Sequence, residues 1–210
     1  MSRLALLAVA LCSSLVEAAT LDVQVRDSSG AAVADAVVYA IPPTGPVDAR
    51  GGRTVSIEQR DREFVPFVTI LQAGTAVSFP NRDPILHHVY SFSPAKQFEI
   101  RLYTGTPPGE IVFDKPGVVT LGCNIHDWMI AYIVVVQTPY FGRTDKGGVA
   151  RLQDLPAGAY EVRAYHPFQR AALGPQRAPL EASSAGLVTF VLDTSPKKTR
   201  YRPPLDRNKY

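Results

Sequence analysis

The chain has 210 residues, room for one large or two small domains, and its 20% charged and 46% hydrophobic residues are those of an ordinary globular protein. A net charge of +3, with the basic residues not gathered among base-stacking aromatics, excludes a nucleic-acid module. Eighteen prolines and 15 glycines spread between short Val/Ile/Thr/Phe runs predict an all-β chain and argue against a helical one.

Residues 1–19 read as an export signal. Arg3 supplies positive charge, residues 4–16 an apolar run, and Ala18-Ala19 a small-residue cleavage site. The run is short for a membrane span. The mature chain is therefore expected in the periplasm, with no stable membrane span. Signal removal also takes away Cys12 and leaves Cys123 as the remaining thiol. A lone cysteine in an exported protein has no internal disulfide partner, so it is buried, intermolecular, reactive or a ligand.

In residues 20–50, Leu21, Val23 and Val25 alternate, Asp27-Ser-Ser-Gly30 turns, and residues 36–40 form a second strand. Residues 42–52 read as a linker. The block 53–137 carries predicted strands at 54–59, 65–71, 76–79, 87–92, 99–102, 110–113, 118–121 and 130–136, separated by Pro/Gly/Asn turns; such short, closely spaced strands predict a Greek-key sandwich or barrel. A third block, 138–193, has strand patterns near 150–152, 162–165 and 186–192. Residues 194–210, basic and Pro-rich, predict a flexible tail.

Within the middle block, Cys123, His126 and Met129 fall inside seven residues, between two apolar runs, and His87-His88 lies upstream in a predicted strand. One thiolate, two imidazoles and a weak thioether form the ligand set of a type 1 (blue) copper site. Zinc is the chief competitor, since Cys and His bind it readily, and methionine in fourth place argues against it. No Cys-x-x-Cys-His pair is present for c-type haem. His166, in Tyr165-His-Pro-Phe168, reads as structural or surface.

The residues around these ligands resemble a known family. Cys123-x-x-His126-x-x-Met129, Phe79-Pro-Asn81-Arg-Asp-Pro-Ile-Leu-His87 and Asp114-Lys-Pro-Gly117 are similar to the ligand loop, the segment before the first ligand and the turn before the cysteine strand of cupredoxins of the amicyanin and plastocyanin type. The resemblance implies a Greek-key β-sandwich over residues 53–137. It implies one copper held by His87, Cys123 and His126 with Met129 axial, and single electrons carried to and from a redox partner protein, a dehydrogenase or cytochrome. It further implies an exposed His126 edge framed by Asn124, Ile125, Asp127 and Trp128. Two departures stand out. Leu86-His87-His88 replaces the usual Pro-His-Asn, so that register from Phe79 favours His87 and leaves His88 as the alternative; and Gly122 precedes the cysteine.

The flanking stretches resemble another family. Leu21-Asp-Val-Gln-Val-Arg-Asp-Ser-Ser-Gly30 and Thr144-Asp-Lys-Gly-Gly148 through Tyr160 look like parts of a carboxypeptidase-regulatory-like (transthyretin-like) β-sandwich. The expectation is a cupredoxin inserted into that sandwich, with residues 20–50 pairing against 138–193. The arrangement is similar to proteins of the methylamine-utilization type. No triad, paired carboxylates or phosphate loop is visible, so an enzyme is not expected. A copper-binding or delivery protein without electron shuttling, and a structural β-sandwich scaffold, are the alternatives.

Overall fold

The computed structural model describes residues 18–47 and 54–195. Residues 1–17 of the predicted signal, part of the predicted linker and nearly all of the predicted tail lie outside them, while Ala19, placed at the end of the predicted signal, is the buried first residue of a strand. The described residues are all-β, with no helix. Ala19–Arg26 (β1) and Val37–Ile41 (β2) come first. Thr54–Ser56 (β3), Glu58–Arg60 (β4), Glu63–Val65 (β5), Val68–Gln72 (β6), Thr75–Ser78 (β7), His87–Ser93 (β8), Lys96–Tyr103 (β9), Ile111–Phe113 (β10), Gly117–Gly122 (β11) and Ile130–Val136 (β12) follow. Phe141–Arg143 (β13), Val149–Leu155 (β14), Gly158–Tyr165 (β15), Gln176–Leu180 (β16) and Ala185–Val191 (β17) complete the order.

β1 alternates because a strand's side chains point to opposite faces: Leu21, Val23 and Val25 are fully buried, and the residues between them are not. It lies between β14, antiparallel, and β17, parallel. β2 sits in a second sheet of order β13-β2-β15-β16. The two sheets share one core, with Leu21, Val38, Leu152, Tyr160, Val162 and Phe190 among its members.

The middle of the chain builds a separate core from a five-stranded sheet, β6-β12-β11-β8-β9, and a three-stranded sheet, β10-β7-β3. Ile57, Phe79, Val89, Phe113, Leu121 and Ile133 fill it. β12 is the near-continuous apolar run Ile-Ala-Tyr-Ile-Val-Val-Val, as a strand covered on both faces must be. Ile133 and Val135 face this core, while Val134 and Val136 meet Val37 and Val68 in a third cluster that joins the two halves of the molecule.

Some predicted strands are divided. The stretch 54–59 breaks where Ile57 turns fully into the core, so β3 pairs with β7 while β4 folds back on β5. The stretch 65–71 divides at Pro66-Phe67, between β5 and β6. β13 and β16 carry no strand pattern in the sequence; β16, Gln-Arg-Ala-Pro-Leu, buries only Ala178 and Leu180.

Candidate metal centre

The segment before β8 is shaped by Asn81. Its side-chain amide donates to the carbonyls of Ile85 (2.8 Å) and Tyr103 (2.9 Å), and its Oδ1 accepts the Asp83 amide (2.9 Å). This buried residue fixes the turn that delivers His87 to the start of β8. On the neighbouring strand β11, Gly122 pairs with Tyr90 of β8, which brings Cys123 to the same end of the sheet. The loop between β11 and β12 is closed by the Met129 amide donating to the His126 carbonyl (2.9 Å).

His87, Cys123 and His126 converge, and all three are buried. Their Nδ1 atoms lie 3.1 Å apart, and the Cys123 Sγ lies 3.7 Å from the His126 Nδ1 and 4.0 Å from the His87 Nδ1. These separations fit a metal ion. The point about 2.1 Å from both nitrogens in the plane of the three atoms lies about 2.1 Å from the sulfur, close to the distances at which zinc, for one, is held by imidazole (about 2.0–2.1 Å) and thiolate (about 2.3 Å). No fourth Cys, His, Asp or Glu joins this group among the described residues. A trigonal His₂Cys set suits copper with a weak axial thioether better than it suits a closed tetrahedral zinc site.

Met129 is buried in the same apolar cluster as Cys123. His88 is not part of the group: its Nε2 lies 3.0 Å from Glu99 and its ring packs beside Tyr90. Of the two adjacent histidines, it is His87 that meets Cys123 and His126. His166 stands apart, accepting the Phe168 amide at Nδ1 (3.2 Å).

The outer nitrogen of His87 has its own partner. Its Nε2 donates to the Asp83 carboxylate (2.7 Å), which also accepts the amides of Asp61 (2.7 Å) and Arg62 (2.9 Å). Burial works to raise the Asp83 pKa, but the hydrogen bonds from the Arg62 amide, His87 and the Asp61 amide outweigh it and hold the carboxyl below its ordinary range. The His126 pKa is lowered by burial first, then by the neighbouring His87 and Arg62.

The expected exposed edge of His126 is absent: the ring is completely buried. Trp128 packs against it at 5.1 Å between ring centroids and donates its indole N–H to the Arg62 carbonyl (3.2 Å), while the Arg62 guanidinium lies 5.7 Å from the indole centroid. The β4–β5 turn and Trp128 thus stand where the resemblance implies solvent. Asp83 and this turn were not identified as site features from sequence, although a carboxylate four residues before a ligand histidine is a usable signal.

A recess of about 360 Å³ has Cys123 and Met129 in its lining, with Tyr90, Phe92, Asp127 and Ile130. A larger cavity, about 670 Å³, lies among Pro42, Pro43, Ile70, Tyr140 and Tyr160 and touches none of the four predicted ligands. No helix among the described residues is long and apolar enough to cross a membrane.

No family model matches the chain, and no curated protein matches it. Among solved structures it is similar to a copper-containing nitrite reductase from Thermus scotoductus SA-01, at 23% identity over 47% of this chain and 27% of that one, with a TM-score of 0.39. It is similar also to a purple cupredoxin from Nitrosopumilus maritimus, at 21% identity over 40% of this chain and 99% of that one, with a TM-score of 0.34. A third is amicyanin from Paracoccus versutus, at 17% identity over 47% and 96%, with a TM-score of 0.34. The chain thus spans about a quarter of the nitrite reductase, 27%.

Proposed function

We propose that this chain is a cupredoxin-type, type 1 copper protein that carries single electrons between redox partners. The observation that carries the reading is the triangle of His87 Nδ1, His126 Nδ1 and Cys123 Sγ, buried together at separations that fit one ion. Copper would supply a one-electron couple there. His87, Cys123 and His126 would hold the ion, with Met129 as a weak fourth ligand.

The chain's own residues support that role by limiting rearrangement. His87 is held through Asp83, the Cys123–Met129 loop is closed on itself, and all three donors are buried. A ligand set held in place is what a centre needs if its geometry is to change little between oxidation states. His88, turned to Glu99, gives no support to a delivery site built on adjacent histidines.

The remaining parts of the proposal follow the sequence. The leader directs export to the periplasm, and the partner is a dehydrogenase or cytochrome of the kind methylamine-utilization-like proteins imply. Residues 53–137 form a cupredoxin unit carried within a transthyretin-like sandwich made from 20–50 and 138–193, and the protein is not an enzyme. The pairing of β1 with β14 and β17, apart from the five-stranded sheet, supports that division.

The test is titration of the mature protein with Cu(II) while recording the visible spectrum. One equivalent should produce intense thiolate-to-copper absorption that Cys123→Ser abolishes and a one-electron donor bleaches reversibly. A colourless protein that takes up stoichiometric zinc in preference would overturn the reading.

A further inference from the structure

We infer that Asp83 is a positioning residue for the metal site, clamped by the β4–β5 turn so that its carboxylate sets the tautomer and donor strength of His87. The inference rests on the copper-centre reading above. Asp83 is not a ligand: it meets His87 at Nε2, whereas Nδ1 is the nitrogen that faces Cys123 and His126. A carboxylate at Nε2 holds the proton there and leaves the Nδ1 lone pair directed inward, and it makes that nitrogen a stronger donor.

The clamp is built at some conformational cost. Asp61 and Arg62 both have positive φ, 54° and 58°, a region that non-glycine residues seldom occupy. A two-residue hairpin turn of this kind normally takes Asn-Gly. Here the turn aims two successive backbone amides at one carboxylate, and these amides, with His87, account for the three donors that Asp83 accepts. The opposite side of the same turn receives the Trp128 indole N–H at the Arg62 carbonyl, and Trp128 packs on His126. A single strained turn therefore braces both histidines of the triangle, one through a carboxylate and the other through an indole. Strain persists where the surroundings over-determine it, and here those surroundings lead to the site.

The test compares Asp83→Ala and Asp83→Asn with the parent chain, the asparagine variant keeping bulk and an acceptor where alanine fails to fold. In the metal-free protein, long-range ¹⁵N–¹H correlation should show His87 in a single Nε2–H tautomer, and a mixture in both variants. Loaded with copper, the variants should bind Cu(II) about 10–100-fold more weakly. Their midpoint potential should rise, because the weaker donor favours Cu(II) less. Asp61→Asn combined with Arg62→Gly keeps the turn and both amides, and should leave the tautomer and affinity as they are; a loss there would overturn the clamp. Variants that fold normally, with the parent tautomer and affinities within threefold, would overturn the role of Asp83. A parent chain that binds no copper removes the copper reading instead, and the tautomer of metal-free His87 still decides on Asp83.

Discussion

Gly122 is the residue where the cysteine strand meets Tyr90, and its replacement by alanine makes a quantitative test of how the site is packed. A Cβ built there would lie 2.7 Å from the Tyr90 Cζ and 2.8 Å from its Oη, closer than Cβ atoms come to anything. To make room the Tyr90 ring must leave its packing beside the His88 ring, 5.6 Å away, and the Phe92 ring, 5.2 Å away between centroids. Two effects compete. Alanine in a strand gains about 0.5–1 kcal/mol over glycine in backbone entropy, and overpacking costs about 1–3 kcal/mol. The steric cost wins, and Gly122→Ala should destabilise the metal-free protein by about 1–2 kcal/mol. In a Tyr90→Ala background only the entropic gain remains, so the same substitution should be neutral or stabilising by up to about 1 kcal/mol. Urea unfolding of the four chains, followed by the fluorescence of Trp128, the single tryptophan of the sequence, gives the coupling directly. Equal effects of Gly122→Ala in both backgrounds would refute the claim that the Tyr90 ring is what excludes a side chain. Because the strain arrives one residue before Cys123, the copper-loaded variant should also show a displaced thiolate absorption band.

Other consequences are open to measurement. At Gly148, with φ +72° and a would-be Cβ 2.5 Å from the Val25 carbonyl oxygen, alanine meets backbone that cannot move aside; Gly148→Ala should cost at least about 2 kcal/mol in urea unfolding. Phe79 is 1% exposed in the core that backs the ligand strands, and Phe79→Ala should cost about 3–5 kcal/mol by the same assay. The Arg151–Asp22 pair, two 2.7 Å hydrogen bonds on an exposed face, is screened by solvent, so Asp22→Ala should shift the midpoint only slightly and less still at high salt. The metal-free protein should lose stability as pH falls below the ordinary histidine range. The unfolded chain takes up a proton that folded His126, with its lowered pKa, refuses, and at lower pH Asp83 adds a loss of the same sign. Thermal unfolding between pH 7 and 5 checks this, and a flat profile would contradict it.

The ligand loop could be read because three donor types sit within one turn's reach along the chain, and β1 because Leu21, Val23 and Val25 alternate without a break. The choice between His87 and His88 was harder. Successive residues of a strand face opposite ways, and which one looks inward depends on a register that Asn81 sets through carbonyls at positions 85 and 103. The cover on His126 was hidden for a similar reason. Trp128 is ambiguous until the β4–β5 turn, more than sixty residues earlier, supplies the Arg62 carbonyl that holds its indole. Ile57 shows the limit of periodicity: an apolar residue inside an apparent strand is equally a kink that passes the chain from one sheet to a hairpin. β16 escaped notice because its order comes from pairing with β15 rather than from its own polar, proline-containing sequence.

The ladder between β2 and β13 pairs Tyr39 with Phe141 and Val37 with Arg143, so the chain departs for the half that holds His87, Cys123 and His126 and returns from it through two adjacent hydrogen-bonded strands. In polymer terms that ladder is the neck of a loop of about a hundred residues, and holding such a neck shut around a floppy loop costs on the order of 4 kcal/mol. A folded half with its ends already side by side removes that cost. An ion that tightens the fold near Cys123 would therefore also slow the fraying of a ladder in which it has no contact. Hydrogen exchange at the Val38 and Gly142 amides, which the alternation set by the Ala40–Tyr140 and Thr144–Ala36 bonds directs across this ladder, would register the effect with and without copper; identical rates would show the neck to be closed by its own contacts alone.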